Sequence, residues 1–290
     1  MTVKRNSRSK RPALLSHGRP PTVNAKSIRL SSTATRNLIR SHHQLLKARE
    51  RAVKDCDDDL VKSIEAQIKE NGGMESYQLA SKAGQSLERG GDSSRVLVDW
   101  MSPTLLQLER SSFKLRILEV GALSTENACS RNHIMDVTKI DLHSQESGIL
   151  QQDFMERPMP TTDDERFHLI SLSLVLNYVP TAAGRGDMLR HCGAFLTRAL
   201  PPGCPLSNFT PCLFLVLPAA CITNSRYLTE KHLQEIMSSI GFTLLMSKET
   251  SKLIYQLWEF NNRGQNNHKK HAKALLNPGA ARNNFAIVIN

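Results

Sequence analysis

The chain has 290 residues, 40% of them apolar and only 5% aromatic, with a formal net charge of +11. That length suits one large domain with appendages or two small ones, and so few aromatic residues argue against an aromatic-walled sugar or nucleic-acid groove. Residues 1–51 hold thirteen Lys or Arg against one acid, Glu50, a segment charge of +12 that leaves the other 239 residues at −1.

The basic excess is therefore a terminal feature. Residues 1–32, rich in Ser, Pro, Lys and Arg, read as a disordered basic arm. Such an arm suits phosphate backbones or an anionic surface; a solubilising tail or an import signal fits the composition as well, and RNSRSKRP has the look of a nuclear localisation patch. No apolar core of a secretory signal is present. The longest apolar run, around Cys212 to Ile222, contains Pro218 and is too short to span a bilayer. A soluble, intracellular protein is expected.

A helical region follows over 33–110. Leu38, Ile39, Leu45, Leu46, Val53, Leu60, Val61, Ile64 and Ile68 recur at helical spacing from Ala34 to Glu70, and Asn71-Gly72-Gly73 stops them. This stripe can pack on the domain or fold into a hairpin; it is too short to specify a dimer, and a monomer is expected. A second helix is expected over 75–88. A third runs from Ser94 to about Leu108, with Asp92 or Ser93 as cap and Pro103 as a break or kink.

The pattern changes over 111–290. Phe113–Val120, Met135–Leu142, Phe167–Leu176 and Cys212–Pro218 read as strands, several of them apolar on both faces. Such strands belong to a parallel sheet covered by helices. Helices are expected over Arg185–Thr197 and from Thr229, as cap, to Ile240, where Gly241 ends the run. Residues 253–260 and 283–289 also read as strands, fit for an antiparallel pair at the sheet edge. The fold class is α/β.

Open parallel sheets bind ligands at the carboxyl ends of their strands. Glu119 and Gly121 close the first strand in LEVGAL, and the glycine lets a ligand approach the backbone. Asp141 closes the second, twenty residues after Gly121, where a carboxylate can accept both ribose hydroxyls. Asp153 can accept an adenine amine while the Phe154 ring packs on the base. Ser171 and Ser173 lie near the end of the next strand. GALST has no GxGxxG, which disfavours NAD and FAD, and there is no GKS or GKT for a P-loop. A single glycine with acidic strand ends fits a nucleoside cofactor without phosphates, S-adenosylmethionine. The six cysteines have neither CxxC spacing nor histidines at zinc spacing, so no metal site is expected and they read as reduced core thiols.

Several long blocks go further. YQLASKAGQSLERGGDSS, LRILEVGALSTEN, IDLHS, GILQQDFMERPMP, FHLISLSLVLNYVPTAAGRGDMLR, LFLVLPAACITNSRY and RNNFAIVI resemble the fungal 25S ribosomal RNA adenine-N1-methyltransferase family, base methyltransferase 2, over about residues 72–289. The resemblance implies a class I, Rossmann-like fold with a mostly parallel seven-stranded sheet, helices on both faces and helices before it. It implies a nuclear, nucleolar enzyme that uses S-adenosylmethionine to methylate N1 of an adenine in large-subunit rRNA or a preribosomal particle. Gly121, Asp141, Asp153, Phe154, Glu119 and Ser171 would then hold the cofactor, and Asn177 and Tyr178 of LVLNYVP would face the methyl group. Asn177 also reads as a helix cap and Tyr178 as core. Arg226, in the loop after the fourth strand, reads as an RNA phosphate contact or as one half of an ion pair. Animal relatives regarded as S-adenosylmethionine sensors keep a noncatalytic sensor, or an assembly factor, as the alternative function.

Overall fold

The computed structural model describes residues 31–73, 91–144, 146–200, 202–206, 209–261 and 269–290, with Ser76 and Ala80. The basic arm up to residue 30 and, apart from Ser76 and Ala80, the helix expected over 75–88 lie outside the described residues.

Helices α1 (Ser32–Lys54) and α2 (Asp58–Glu70) form a hairpin, one of the two arrangements the stripe allows. The break falls at Cys56, whose φ of +55° takes the chain out of the helical region. Asp57 then caps α2 by accepting from Leu60 N at 3.0 Å. Arg49 and Glu65 tie the two helices at 2.8 Å.

Helix α3 (Ser94–Leu108) runs through Pro103 without ending. Proline has no N–H to offer the Asp99 carbonyl one turn earlier. The Ser102 hydroxyl donates to that carbonyl instead, at 2.7 Å. Leu97, Met101, Leu105 and Leu108 form its buried face, and they share a core with the strands, so α3 covers one face of the sheet.

Next come β1 (Leu115–Val120), α4 (Ala128–Arg131), β2 (Met135–Asp141), β3 (Leu150–Gln151), β4 (Leu169–Ser173), α5 (Ala182–Ala194), β5 (Cys212–Pro218), α6 (Ala220–Thr223), α7 (Glu230–Ser239), β6 (Phe242–Glu249) and β7 (Leu253–Phe260). The sheet has seven strands in the order β3-β2-β1-β4-β5-β7-β6. Strands β1 to β5 pair in parallel, and β7 is antiparallel to both β5 and β6. Alternate residues of the central strands feed two cores. Leu118, Val120, Ile170 and Leu172 meet α5 and α7 on one face, and Leu115, Ile117, Leu169 and Phe214 meet α3 and α4 on the other.

Helix caps fall where side chains can supply them. Thr229 accepts from His232 N at 3.1 Å and starts α7 as expected. Thr181 accepts from Gly184 N at 3.0 Å, so α5 begins three residues before the expected Arg185.

The sheet edge is where sequence and structure part. The partner of β7 is β6, not residues 283–289. Strand β6 is exposed along most of its length and bulged between Leu244 and Met246, as edge strands often are. Residues 285–287 and 289 are buried without joining the sheet. Their backbone partners lie elsewhere: Val288 N donates to Ala182 O at 2.9 Å, and Phe285 O accepts from Ser225 Oγ at 2.6 Å. Gly186 permits this close crossing, since a Cβ there would stand 2.0 Å from Val288 O.

Candidate active site

The carboxyl ends of the parallel strands form one edge, and register sets its order. Val120 pairs with Ile140 on β2 and with Leu172 on β4. One residue further along, Gly121, Asp141 and Ser173 therefore stand side by side. Asp141 pairs with Gln151 of β3, and Asp153 follows two residues later. Glu119, Asp141 and Asp153 thus come to one edge from three adjacent strands.

Gly121 turns the chain at φ +74°, a conformation that side chains rarely adopt. A Cβ there would lie 2.5 Å from Val175 Cγ2. Its N–H and that of Ala122 both donate to Ile140 O, at 2.8 and 3.1 Å. The turn is closed onto β2, and a ligand approaches it over a bare Cα.

Beside the turn lies a small, partly open cleft lined by Asp92, Ser93, Glu119, Val120, Gly121, Asn127 and Ser173. Two of these residues are acids and none is a cation. A phosphate would find no cation among these residues, whereas a sulfonium or an ammonium meets complementary charge where the acids are ionised. The glycine cradle and this donor set fit S-adenosylmethionine.

Glu119 is 8% exposed. It accepts from Asn127 Nδ2 at 2.7 Å, and Cys129 Sγ lies 3.8 Å from its other oxygen. Burial pushes its pKa from 4.5 up to about 7; the Asn127 hydrogen bond opposes this and the nearby Asp92 adds to it. Asp92 accepts from Ser94 N at 2.8 Å and Ala128 N at 2.5 Å, tying together the starts of α3 and α4. Ser93 Oγ and Ser173 Oγ lie 2.7 Å apart and join that wall to β4.

Asp141 Oδ1 accepts from His143 N at 2.8 Å, and Asp153 Oδ1 accepts from Met155 N at 2.8 Å. In both, the second oxygen has no protein donor among the described residues. Phe154 does not offer a ring face as the sequence suggests. It is 3% exposed and packs against His191 and Phe195, with ring centroids 4.8 and 5.6 Å away. Its burial anchors the Asp153 turn. Ser171 pairs with Glu119 in register but is 2% exposed, one step below the cleft; Ser173 is the serine at the rim.

Asn177 and Tyr178 occupy a turn in which Tyr178 N donates to Val175 O at 2.8 Å. It follows Leu174, whose φ of +57° is costly for a branched side chain. Thr181, not Asn177, caps α5. Asn177 Oδ1 is shielded from solvent and has no donor among the described residues.

Arg226 is already committed. Its guanidinium donates to Gly279 O, Ala280 O and Asn284 Oδ1 at 2.8 to 3.0 Å. These bonds hold the 279–284 segment, so the fork expected for an RNA phosphate is occupied by the chain itself. Sequence reasoning took Asp92 and Ser93 only as caps and passed over Asn127. The single local signal for Asn127 was a polar residue opening a helix just after the Gly121 turn.

Strand order, the one reversed strand β7 and a cation-free acidic cleft over a glycine together define a class I methyltransferase. Residues 62–287 match the family described as 25S rRNA (adenine(2142)-N(1))-methyltransferase, Bmt2, and the chain belongs to that family. It is 39% identical over 253 residues to the 25S rRNA adenine-N(1) methyltransferase of Schizosaccharomyces pombe, covering 86% of this chain and 89% of that one. It is 38% identical over 257 residues to the 25S rRNA (adenine(2142)-N(1))-methyltransferase of Saccharomyces cerevisiae, covering 85% and 70%. Among solved structures, the Burkholderia thailandensis 1,6-didemethyltoxoflavin-N1-methyltransferase is 12% identical with a TM-score of 0.39, covering 63% of this chain and 87% of that one.

Proposed function

We propose that the chain transfers the methyl group of S-adenosylmethionine to N1 of an adenine in large-subunit ribosomal RNA. The family match carries this reading, because it spans every residue of the cleft and of the Asn177 turn. The cofactor supplies an electrophilic methyl on a cationic sulfur.

The chain's own residues bind and aim. Asp141, through its unpartnered oxygen, accepts the ribose hydroxyls, and Asp153 accepts the adenine amine. Gly121 lets the nucleoside lie against the backbone, and Glu119 with Asp92 keeps the cleft negative toward its cationic end. Adenine N1 carries a lone pair and no proton, so no general base is required. The target base must leave its pair and stack before N1 can be reached. Asn177 Oδ1 accepts from the N6 amine as the ring becomes cationic, and Tyr178 stacks on the base.

The arm's RNSRSKRP and the rRNA substrate support a nucleolar site of action on a preribosomal particle. The roles separate kinetically. Asn177→Ala lowers kcat about tenfold to a hundredfold with cofactor affinity unchanged, and Asp141→Ala weakens cofactor binding at least tenfold. Calorimetry beside methyl-transfer kinetics checks both. An Asn177→Ala protein that loses cofactor affinity instead would move Asn177 into the cofactor site.

A further inference from the structure

Helix α1 carries a basic face that the cleft does not use. Arg40, Gln44, Lys47 and Arg51 follow one another at four, three and four residues, which places them on one side of the helix. All four are exposed. The opposite side is buried at Thr35, His42 and Ala52. Among the described residues Arg40, Lys47 and Arg51 form no ion pair, whereas Arg49 is held by Glu65 and Lys54 by Glu50, at 2.8 and 3.2 Å. The hairpin's acids neutralise the neighbouring cations and leave this row open.

The row also lies by the ligand edge of the sheet. Burial, and after it the nearby His143 two residues past the tip of β2, lowers the His42 pKa. Partial desolvation, and after it the nearby Arg185 in the first turn of α5, lowers that of Lys47, the innermost cation of the exposed row. Helix α1 therefore runs from the tip of β2 toward the start of α5.

We propose that the Arg40–Lys47–Arg51 face of α1 binds the phosphate backbone of the rRNA beside the target adenine. This rests on the rRNA reading above. The three cations span about 16 Å of helix, over which one strand presents on the order of five phosphates. An anionic bilayer fits less well, because the face has no exposed apolar flank to insert.

The test is Arg40→Gln/Lys47→Gln/Arg51→Gln in the full chain, with Lys248→Gln/Lys252→Gln as an equal-sign control on the far edge hairpin. Binding to an unmodified large-subunit rRNA fragment is measured across KCl concentrations. The triple variant should bind at least tenfold more weakly at 0.15 M salt. Its slope of log K against log salt should fall by about 2, at roughly 0.7 for each phosphate lost. Cofactor affinity, helix content and the control variant's slope should stay as in wild type. A triple variant with the wild-type slope, while wild type methylates the fragment, overturns the surface alone. An equal loss in the control also overturns it, as does an unchanged RNA slope with lost binding to phosphatidylserine vesicles. Wild-type protein that neither binds nor methylates the fragment overturns the rRNA reading and the surface together.

Discussion

Glu119 is the residue whose protonation decides what the cleft can hold. Its folded pKa of about 7 lies above the ordinary 4.5, so in the empty cleft the neutral form prevails below about pH 7 and the ionised form above it. Its contribution to stability is fully present below about pH 4.5 and is lost as pH rises through 7; above that the buried charge costs up to about 3 kcal/mol. Glu119→Gln should therefore be more stable than wild type at pH 8, by about 1–3 kcal/mol, with the gap closing near pH 4.5. Urea midpoints at the two pH values check this. A cationic ligand needs the ionised acid. Cofactor affinity should rise about tenfold per pH unit up to about 7 and then level, while Glu119→Gln gives a flatter curve; parallel curves would assign the pH dependence to another group. Gly121→Ala meets both an unfavourable φ and Val175 Cγ2 at 2.5 Å. It should cost about 1–3 kcal/mol and weaken cofactor binding at least tenfold, read by thermal melts and calorimetry.

At the scale of elements, the central strands were legible and the edge was not. Strands β1 and β5 are largely apolar runs that stop at Val120-Gly121 and Pro218, and burial on both faces leaves little else for such runs to be; β2 is only part-buried and is marked by its Ile140-Asp141 end. That legibility is why Gly121 and Asp141 could be named without coordinates. Strand β6 is exposed over most of its length, its apolar Leu245 and Met246 included, while Phe285, Ala286, Ile287 and Ile289 are buried yet unpaired in the sheet. An apolar run does not say what it packs on, and burial of this segment comes from crossing α5 at Gly186, a tertiary event. The same event explains Arg226. Its loop looked like a ligand loop because it follows a strand; only the returning 279–284 segment reveals what its guanidinium holds. Arg226→Ala should lower stability by about 1–2 kcal/mol and leave the salt dependence of RNA binding as in wild type. A reduced salt slope without a change in melting temperature would restore the phosphate role.

For the molecule as a whole, charge is divided: the cleft is acidic, and the basic excess lies in residues 1–51 of the sequence. On the functions proposed above, the first suits the cofactor and the second the charge of a folded RNA. Part of the cleft wall came from outside the sheet: Asp92 and Ser93 reach it because α3 packs against β1 and β4. That proximity has no period and no motif, so it left no mark that sequence reading could find. Removing residues 1–32 should weaken RNA binding and reduce its salt slope while changing cofactor affinity by less than about tenfold, 1.4 kcal/mol. A larger fall in cofactor affinity would make the arm part of the cleft.

The most direct measurement is transfer of a labelled methyl group to unmodified large-subunit rRNA by wild type, Gly121→Arg and Asp141→Ala, with the product nucleoside identified after digestion. Wild type should yield N1-methyladenosine, and both variants should yield little or none while remaining folded. Undiminished transfer by Gly121→Arg would contradict the cleft as the site of the methyl donor. Tight cofactor binding by wild type with no transfer to any rRNA substrate would contradict catalysis itself.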